Sequence, residues 1–207
     1  TLTDSAPDLA GAANAMRVAR GMEALPVAAL RPMAGAGARG MVRLAFGVLP
    51  GETGYEDLRA EFLDRYEHAS LVHTAVFESV HPVLARLDAR SRPWGIVTNK
   101  AERFTHPIVD GLGLKQRAAV VVCGDTTPHS KPHPAPLLEA ARRAGATAGD
   151  CVYVGDDARD IQAGRAAGMA TLAAAWGYLG QGEPIEAWGA DAVLPEPVAL
   201  LHWLGLA

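Results

Sequence analysis

The sequence predicts an α/β fold in which a doubly wound parallel sheet is joined to a small all-helical segment. Two different sequence patterns within the 207 residues indicate this fold. Residues 5–75 carry helical patterns throughout, whereas from residue 76 short apolar runs alternate with amphipathic segments. Apolar runs separated by helices are typical of parallel strands covered on both faces. Right-handed crossovers between such strands give a doubly wound sheet.

The first segment begins with a pattern typical of a helix start. Ser5 is expected to accept a hydrogen bond from the amide of Asp8, and Pro7 sits where its missing N–H costs little. Gly21 is expected to end this helix. A glycine-rich turn at 34–40 precedes a second helix, and apolar residues at helical spacing within 55–71 predict another.

The second segment alternates between predicted strands and helices. Strands are predicted at 94–99, 118–125, 150–157 and 170–177, with a last edge strand at 191–197 before a terminal helix. Helices are predicted over 81–89, 103–114, 135–146 and 158–168.

Composition narrows the class of protein. The net charge of −4 does not favour a general nucleic-acid or membrane surface. Cys123 and Cys151 form no CxxC pair, so free buried thiols are expected rather than a disulfide framework or a zinc site. No apolar run reaches the roughly 18 residues of a membrane span, and no signal peptide is visible. A soluble, cytoplasmic protein is therefore expected.

Acidic residues follow the strand predicted at 150–157. In open α/β sheets, ligands bind beyond the carboxyl ends of the strands. Asp156 ends an apolar run and has no capping need, while Asp157 and Asp160 fall in the first turn of the next helix. Helix-dipole stabilisation alone could explain the last two. Taken together, the three carboxylates suit a hard cation such as Mg²⁺.

Other polar residues are expected at the same edge of the sheet. Lys131 precedes Pro132 and Pro134, which forbid helix and stiffen an extended loop. A lysine held there can neutralise a phosphate, although a solvated surface lysine is the default alternative. Thr98 and Asn99 end a strand and could donate to a phosphoryl oxygen, or simply terminate the strand.

Several common catalytic signatures are absent from the sequence. There is no GxSxG, no Walker A motif and no GxGxxG after a strand, since "AGAGARG" follows no predicted strand. The histidines show no HExxH spacing, and His129 and His133 are interpreted as orienting the loop around Lys131. These residues alone identify no nucleophile.

Three segments together resemble a known family. "VTNK", "SKPHP" and "VGDDARDIQAGRAAG" are similar, in this order and spacing, to motifs II, III and IV of the haloacid dehalogenase superfamily of phosphohydrolases. The subgroup resembled is phosphoglycolate-phosphatase-like, and stretches such as "WGIVTNK" and "SKPHPAPL" resemble N-acetylmuramic acid 6-phosphate phosphatases. The resemblance covers nearly the whole chain.

The resemblance also interprets the first residues. "TLTDSAPDL" is similar to the tail of the family's motif I, Asp-x-Asp-Gly-Thr-Leu-x-Asp-Ser, so Thr1 and Leu2 would be its Thr-Leu pair. The nucleophilic aspartate and the acid/base aspartate of this motif would then fall just before residue 1, separated from Thr1 by its glycine. In the family, the strand that carries them is central in the sheet, between the strands predicted at 94–99 and 150–157. An upstream strand is therefore expected.

The resemblance implies a domain division and a set of roles. Residues 1–4 and 76–207 would form the Rossmann-like core, and 5–75 a helical cap that sets substrate specificity. The activity implied is Mg²⁺-dependent hydrolysis of a small phosphate monoester through an aspartyl-phosphate, by a monomer or homodimer. The implied roles are phosphoryl binding by Thr98 and Asn99, charge neutralisation by Lys131, and metal binding by Asp156 with Asp157 or Asp160, directly or through water.

Two arginines are candidate substrate contacts, and three functions other than a phosphatase are considered. Arg39 and Arg43, beside the glycine-rich turn, are candidate contacts to a substrate carboxylate or sugar, or else a solvated helix face. A haloacid dehalogenase needs no Mg²⁺, which the acidic cluster disfavours, and a phosphosugar mutase would need bisphosphate recognition. A non-catalytic phosphate-binding module similar to a receiver domain is a third alternative. The sequence leaves phosphoglycolate and N-acetylmuramate 6-phosphate both open as substrates.

Overall fold

The structure, a computed structural model, describes residues 1–207 as two compact units. One unit contains Thr1–Leu2 with Val76–Ala207, and the other contains Thr3–Ala75. Thr3 and Asp4, which the resemblance assigned to the core, thus group with the helical residues. The short strands β1 (Thr3–Asp4) and β2 (Ala75–Val76) form a two-stranded sheet where the chain leaves one unit for the other.

The unit Thr3–Ala75 is helical, as its patterns predict. It contains α1 (Ala6–Val18), α2 (Val27–Leu30), α3 (Gly37–Phe46) and α4 (Tyr55–His68), with a 3₁₀ segment at Arg31–Ala36. Its interior is made by side chains that are almost fully buried: Met16, Leu30, Met41, Val42 and Phe62. Each large apolar side chain buried in this way contributes about 1.5–3 kcal/mol.

The start of α1 differs from the prediction. Ser5 makes no capping hydrogen bond through its side chain, so the predicted bond from the amide of Asp8 is wrong. Instead, Asp4 Oδ1 accepts from the amide of Ala6 at 3.2 Å. The side chain of Asp8 is buried and accepts from the amides of His73 and Thr74 and from the Thr74 hydroxyl, at 2.7–3.1 Å. The Asp8 side chain therefore holds His73 and Thr74, near the end of this unit, against helix α1.

The other unit alternates strands and helices. Its strands are β3 (Gly95–Val97), β4 (Val120–Val122), β5 (Val152–Gly155), β6 (Ala170–Ala174) and β7 (Ala192–Leu194). Its helices are α5 (His81–Ala89), α6 (Glu102–Gly111), α7 (Ala135–Ala144), α8 (Ala158–Ala166) and α9 (Ala199–Trp203). Every strand pair is parallel, which confirms the predicted fold class. None of the helices is long and apolar enough to span a membrane.

The strands fall into two separate hydrogen-bonded sheets. β3 pairs with β4, and β5, β6 and β7 form the second sheet in that order. Gly95 lies opposite Val120, and Val152 lies opposite Ala170. The strand residues of β3 are exposed or half-buried, whereas four of the five residues of β6 are buried. β3 and β5 each lie at the edge of a sheet.

Candidate active site

A buried lysine lies at the carboxyl ends of the strands. Lys131 sits on the loop before α7, and its side chain is only 9% exposed. Its Nζ is 2.6 Å from Asp160 Oδ1, 2.7 Å from the hydroxyl of Tyr153 and 3.0 Å from the carbonyl oxygen of Val97. The Tyr153 hydroxyl also donates to that carbonyl at 3.0 Å. One ammonium therefore joins β3, β5 and α8.

The charge of this lysine is maintained by its partners. Burial would lower the pKa of Lys131, but Tyr153 and the Asp160 carboxylate outweigh this and hold the pKa above its ordinary value. Burial raises the pKa of Tyr153, so its hydroxyl stays protonated and can donate to Val97. The site therefore holds a permanent positive charge in a largely dry position, where it acts strongly on an anion.

Asn99 positions Lys131 from the neighbouring loop. The Asn99 side-chain amide donates to the Lys131 carbonyl oxygen and accepts from the Lys131 amide, both at 2.9 Å. This clamp is a role that the sequence did not indicate. Gly124 makes the local packing possible, because a Cβ at this position would overlap the backbone of Asn99. The loops after β3 and β4 thus approach closely beside Lys131.

Asp156 follows β5, as predicted, and its side chain is 13% exposed. Its Oδ1 is 3.0 Å from the amino group of Thr1 and accepts from the Thr1 hydroxyl. Its Oδ2 accepts from the amide of Tyr178 at 2.8 Å.

The segment Trp176–Tyr178 contributes to the site in a way that sequence reasoning missed. Trp176 Nε1 donates to the Thr1 carbonyl oxygen at 2.8 Å. Gly177 lies so close to Asp156 that a Cβ there would overlap its side chain. The only signal in the sequence was a glycine as the last residue of a predicted strand, which is compatible with a close backbone approach.

The other two candidate metal ligands already pair with cations. Asp157 begins α8, accepts from the Arg159 amide at 2.9 Å and pairs with the Arg159 guanidinium at 2.6 Å. Burial would raise the pKa of Asp157, but these hydrogen bonds hold it below its usual value. Asp160 pairs with Lys131 and also accepts from the Asp156 amide at 3.2 Å through Oδ2. Their roles as ligands stay predictions.

Thr98 terminates its strand, which is one of the two readings considered for it. Its amide donates to the Val122 carbonyl at 2.9 Å, and its hydroxyl accepts from the Lys100 amide at 3.1 Å, which ends the strand. Thr98 is half-buried and Asn99 is exposed. Hydrogen bonds therefore link Asn99, Lys131, Asp160, Asp156 and Thr1 into one chain of contacts, with Thr98 adjacent to Asn99.

The remaining candidates lie elsewhere or support the loop. Arg39 and Arg43 are exposed on α3 of the helical unit. His129 and His133 have ring centroids 4.4 Å apart. His133 Nδ1 accepts from the amide of Ala135 at 3.1 Å, which agrees with the interpretation that these histidines shape the loop.

The residues around Asp156 suit a hard divalent cation. Asp156 is a largely buried carboxylate, and such a group calls for a compensating positive charge. Carboxylate oxygens are the donors that Mg²⁺ prefers. Among the three candidates, only Asp156 is free of a competing side-chain cation.

The chain belongs to the haloacid dehalogenase-like hydrolase family, whose model matches residues 1–174. The predicted family is therefore confirmed, and with it the hydrolase class.

Named relatives match nearly the whole chain. A "phosphoglycolate phosphatase" of Xanthomonas campestris pv. campestris (strain 8004) is 47% identical over 201 residues, covering 97% of this chain and 90% of the relative. An "N-acetylmuramic acid 6-phosphate phosphatase" of Pseudomonas putida is 40% identical over 200 residues, with the same two coverages. A solved structure described as a predicted phosphoglycolate phosphatase from Haemophilus somnus 129PT has a TM-score of 0.84 at 24% identity, covering 99% of this chain and 93% of that one. The last comparison confirms the fold.

Proposed function

We propose that the protein is a Mg²⁺-dependent phosphatase that hydrolyses a small-molecule phosphate monoester through an aspartyl-phosphate. The single observation behind this proposal is the buried Lys131–Asp160 pair, which is hydrogen-bonded to the Asp156 backbone at the carboxyl ends of the strands. Phosphoryl transfer depends mainly on positioning and on neutralising charge, and this site offers a fixed cation beside carboxylates. Relatives named as phosphatases support the same class, a phosphoric monoester hydrolase.

The nucleophile is proposed to lie on a strand that precedes Thr1. The supporting observation is the division of the strands into two sheets, with Tyr153 of β5 reaching the carbonyl of Val97 on β3. Thr1 already lies beside Asp156. The first aspartate of the motif, a few residues before Thr1, is therefore proposed to lie near Asp156 and the Lys131 network. A second aspartate two residues later in that motif would protonate the leaving alcohol and then activate water.

Each residue of the chain then has a proposed task. Thr98 and the backbone around Asn99 bind the phosphoryl oxygens, while the Asn99 side chain keeps Lys131 in place. Lys131 neutralises charge on the nucleophile and on the phosphoryl group. Asp156 holds the metal, and Asp157 and Asp160 act directly or through water. When bound, Mg²⁺ supplies a Lewis acid that neutralises charge on the transferring group.

The substrate is proposed to be a small phosphorylated metabolite, either phosphoglycolate or N-acetylmuramate 6-phosphate. These are the compounds named for the relatives at 47% and 40% identity. Residues 5–75 are proposed to act as a cap that selects between them, with Arg39 and Arg43 contacting a carboxylate or sugar. The proposal further includes a cytoplasmic monomer or homodimer with no nucleic-acid or membrane partner.

A substrate panel tests this function. The full-length protein should be assayed with phosphoglycolate, N-acetylmuramate 6-phosphate, common sugar phosphates and an aryl phosphate, with and without Mg²⁺. One compound is expected to exceed the others in kcat/KM, and chelation of Mg²⁺ is expected to abolish turnover. Lys131→Met is expected to reduce kcat/KM by about 100-fold or more. No turnover of any ester, with metal bound, would reject the phosphatase and favour a phosphate-binding module.

A further inference from the structure

A second group of metal-ligating side chains lies on α6 and at the end of β4. Glu102 and His106 are one helical turn apart on α6, and Cys123 follows β4 directly. One ligand atom from each residue lies within 4.8 Å of the other two. Glu102 and His106 are exposed, while Cys123 is 1% exposed beneath them. None of the three takes part in the proposed phosphatase chemistry.

Neighbouring groups hold these side chains in place. The Thr126 hydroxyl donates to Glu102 Oε1 at 2.9 Å and accepts from the Cys123 amide at 2.9 Å. Asp125 Oδ1 accepts from the Glu102 amide at 2.8 Å, which fixes the first turn of α6. Hydrogen-bonded outer residues of this kind orient the ligands of metal sites.

The donor types identify the class of cation. A thiolate, an imidazole and a carboxylate together suit a borderline cation such as Zn²⁺, whereas Mg²⁺ and Ca²⁺ prefer oxygen donors alone. Ligand atoms around a tetrahedral Zn²⁺ lie about 3.3–3.7 Å apart, as follows from metal–ligand bonds of about 2.0–2.3 Å. A separation within 4.8 Å can close to this range by small side-chain rotations. Three protein ligands leave the fourth position for water.

We propose that Glu102, His106 and Cys123 bind one Zn²⁺-like transition-metal ion, at a site separate from the one that contains Asp156. The ion would join α6 to the end of β4. This corner also contains the turn after β3, because the Lys100 carbonyl accepts from the Gly124 amide at 2.9 Å and from the Thr105 hydroxyl at 3.1 Å. Metal binding would therefore stabilise the backbone that follows Thr98 and Asn99.

Titration with Co²⁺, a spectroscopic substitute for Zn²⁺, tests the site. The full-length protein should be reduced and kept in excess Mg²⁺, so that carboxylate sites are occupied. We expect binding of one Co²⁺ per chain with a thiolate-to-cobalt absorption band, and displacement of that band by Zn²⁺. Cys123→Ser should remove the band. His106→Gln should weaken Co²⁺ binding at least about tenfold, the lower end of what the loss of an outer-shell partner costs.

Matched variants make the outcome decisive. Cys151→Ser removes the other thiol, and His68→Gln removes an exposed imidazole of the helical unit, so both should bind Co²⁺ like the parent protein. Because His106 is exposed, its substitution should leave the fold intact, which circular dichroism checks. The proposal is overturned if the parent shows no thiolate band, or if Cys123→Ser and His106→Gln bind Co²⁺ as tightly as the parent. Neither outcome depends on phosphatase activity.

Discussion

Replacing Lys131 with methionine is expected to destabilise the core unit strongly. The substitution keeps a side chain of similar length but removes the ammonium that lies 2.6 Å from Asp160. Both side chains are 9% exposed, so the Asp160 carboxylate would remain buried without a cation. Its hydrogen bond from the Asp156 amide, at 3.2 Å, supplies no full positive charge. Breaking a buried pair by removing one partner costs about 3–5 kcal/mol, which we expect as the loss in the free energy of unfolding.

Urea denaturation followed by tryptophan fluorescence measures this loss. Lys115→Met is the matched control, because Lys115 pairs with Asp110 at 3.2 Å while both side chains are about half exposed. An exposed pair of this kind contributes about 0–1 kcal/mol. A cycle with Asp160→Asn and the double variant isolates the coupling between Lys131 and Asp160, expected at about 0.5–3 kcal/mol. Equal losses for Lys131→Met and Lys115→Met, or strict additivity in the cycle, would refute the reasoning.

The same pair predicts a direction of pH dependence. The folded state raises the pKa of Lys131, so its contribution to stability is fully present below the pKa of lysine in the unfolded chain, about 10.4. That contribution is lost progressively as the pH rises above this value. The stability difference between the parent and Lys131→Met should therefore be constant from neutral pH to about pH 10 and shrink above it. A difference that already declines between pH 7 and 9 would contradict this assignment.

Two further substitutions follow from close contacts. Asp8→Ala should lower the free energy of unfolding of the helical unit by at least about 2 kcal/mol, because the buried Thr74 hydroxyl and amide lose their acceptor. Asp8→Asn should lower it less. Chemical denaturation measures both losses. Gly177→Ala should lower Mg²⁺-dependent kcat/KM about 100-fold by displacing Asp156, whereas Gly149→Ala, which has open space for a Cβ, should not. A fully active Gly177→Ala enzyme, or an Asp8→Ala variant of unchanged stability, would contradict these expectations.

The order of elements could be predicted because it depends on short-range patterns. Apolar runs and helical spacing identified the strands and helices, and the prolines after Lys131 correctly placed the start of α7 at Ala135. Asp156 could be predicted as a site residue because a carboxylate that follows an apolar run has no local structural role, such as capping a helix. Lys131 was chosen for its stiff loop, and the structure places it beside Asp160.

Other features depend on contacts between distant residues, which periodicity does not encode. Tyr153 lies in an apolar strand and looks like a core residue until its hydroxyl is seen beside Lys131 and Val97. The Asn99 clamp joins residues 32 positions apart. The helix start was predicted correctly, since Ser5 is the N-cap residue of α1, but the capping bond was predicted wrongly. The structure uses the neighbouring Asp4 as the acceptor, and two adjacent polar residues suit that task about equally.

The division of the strands into two sheets leaves β3 and β5 each at the edge of a sheet. The Val97 carbonyl on β3 faces away from β4 and is covered only by side chains, those of Tyr153 and Lys131. Strand edges of this kind are templates on which an extended segment can add by β-augmentation. An extended segment that adds in parallel along both β3 and β5 would join the two sheets into one.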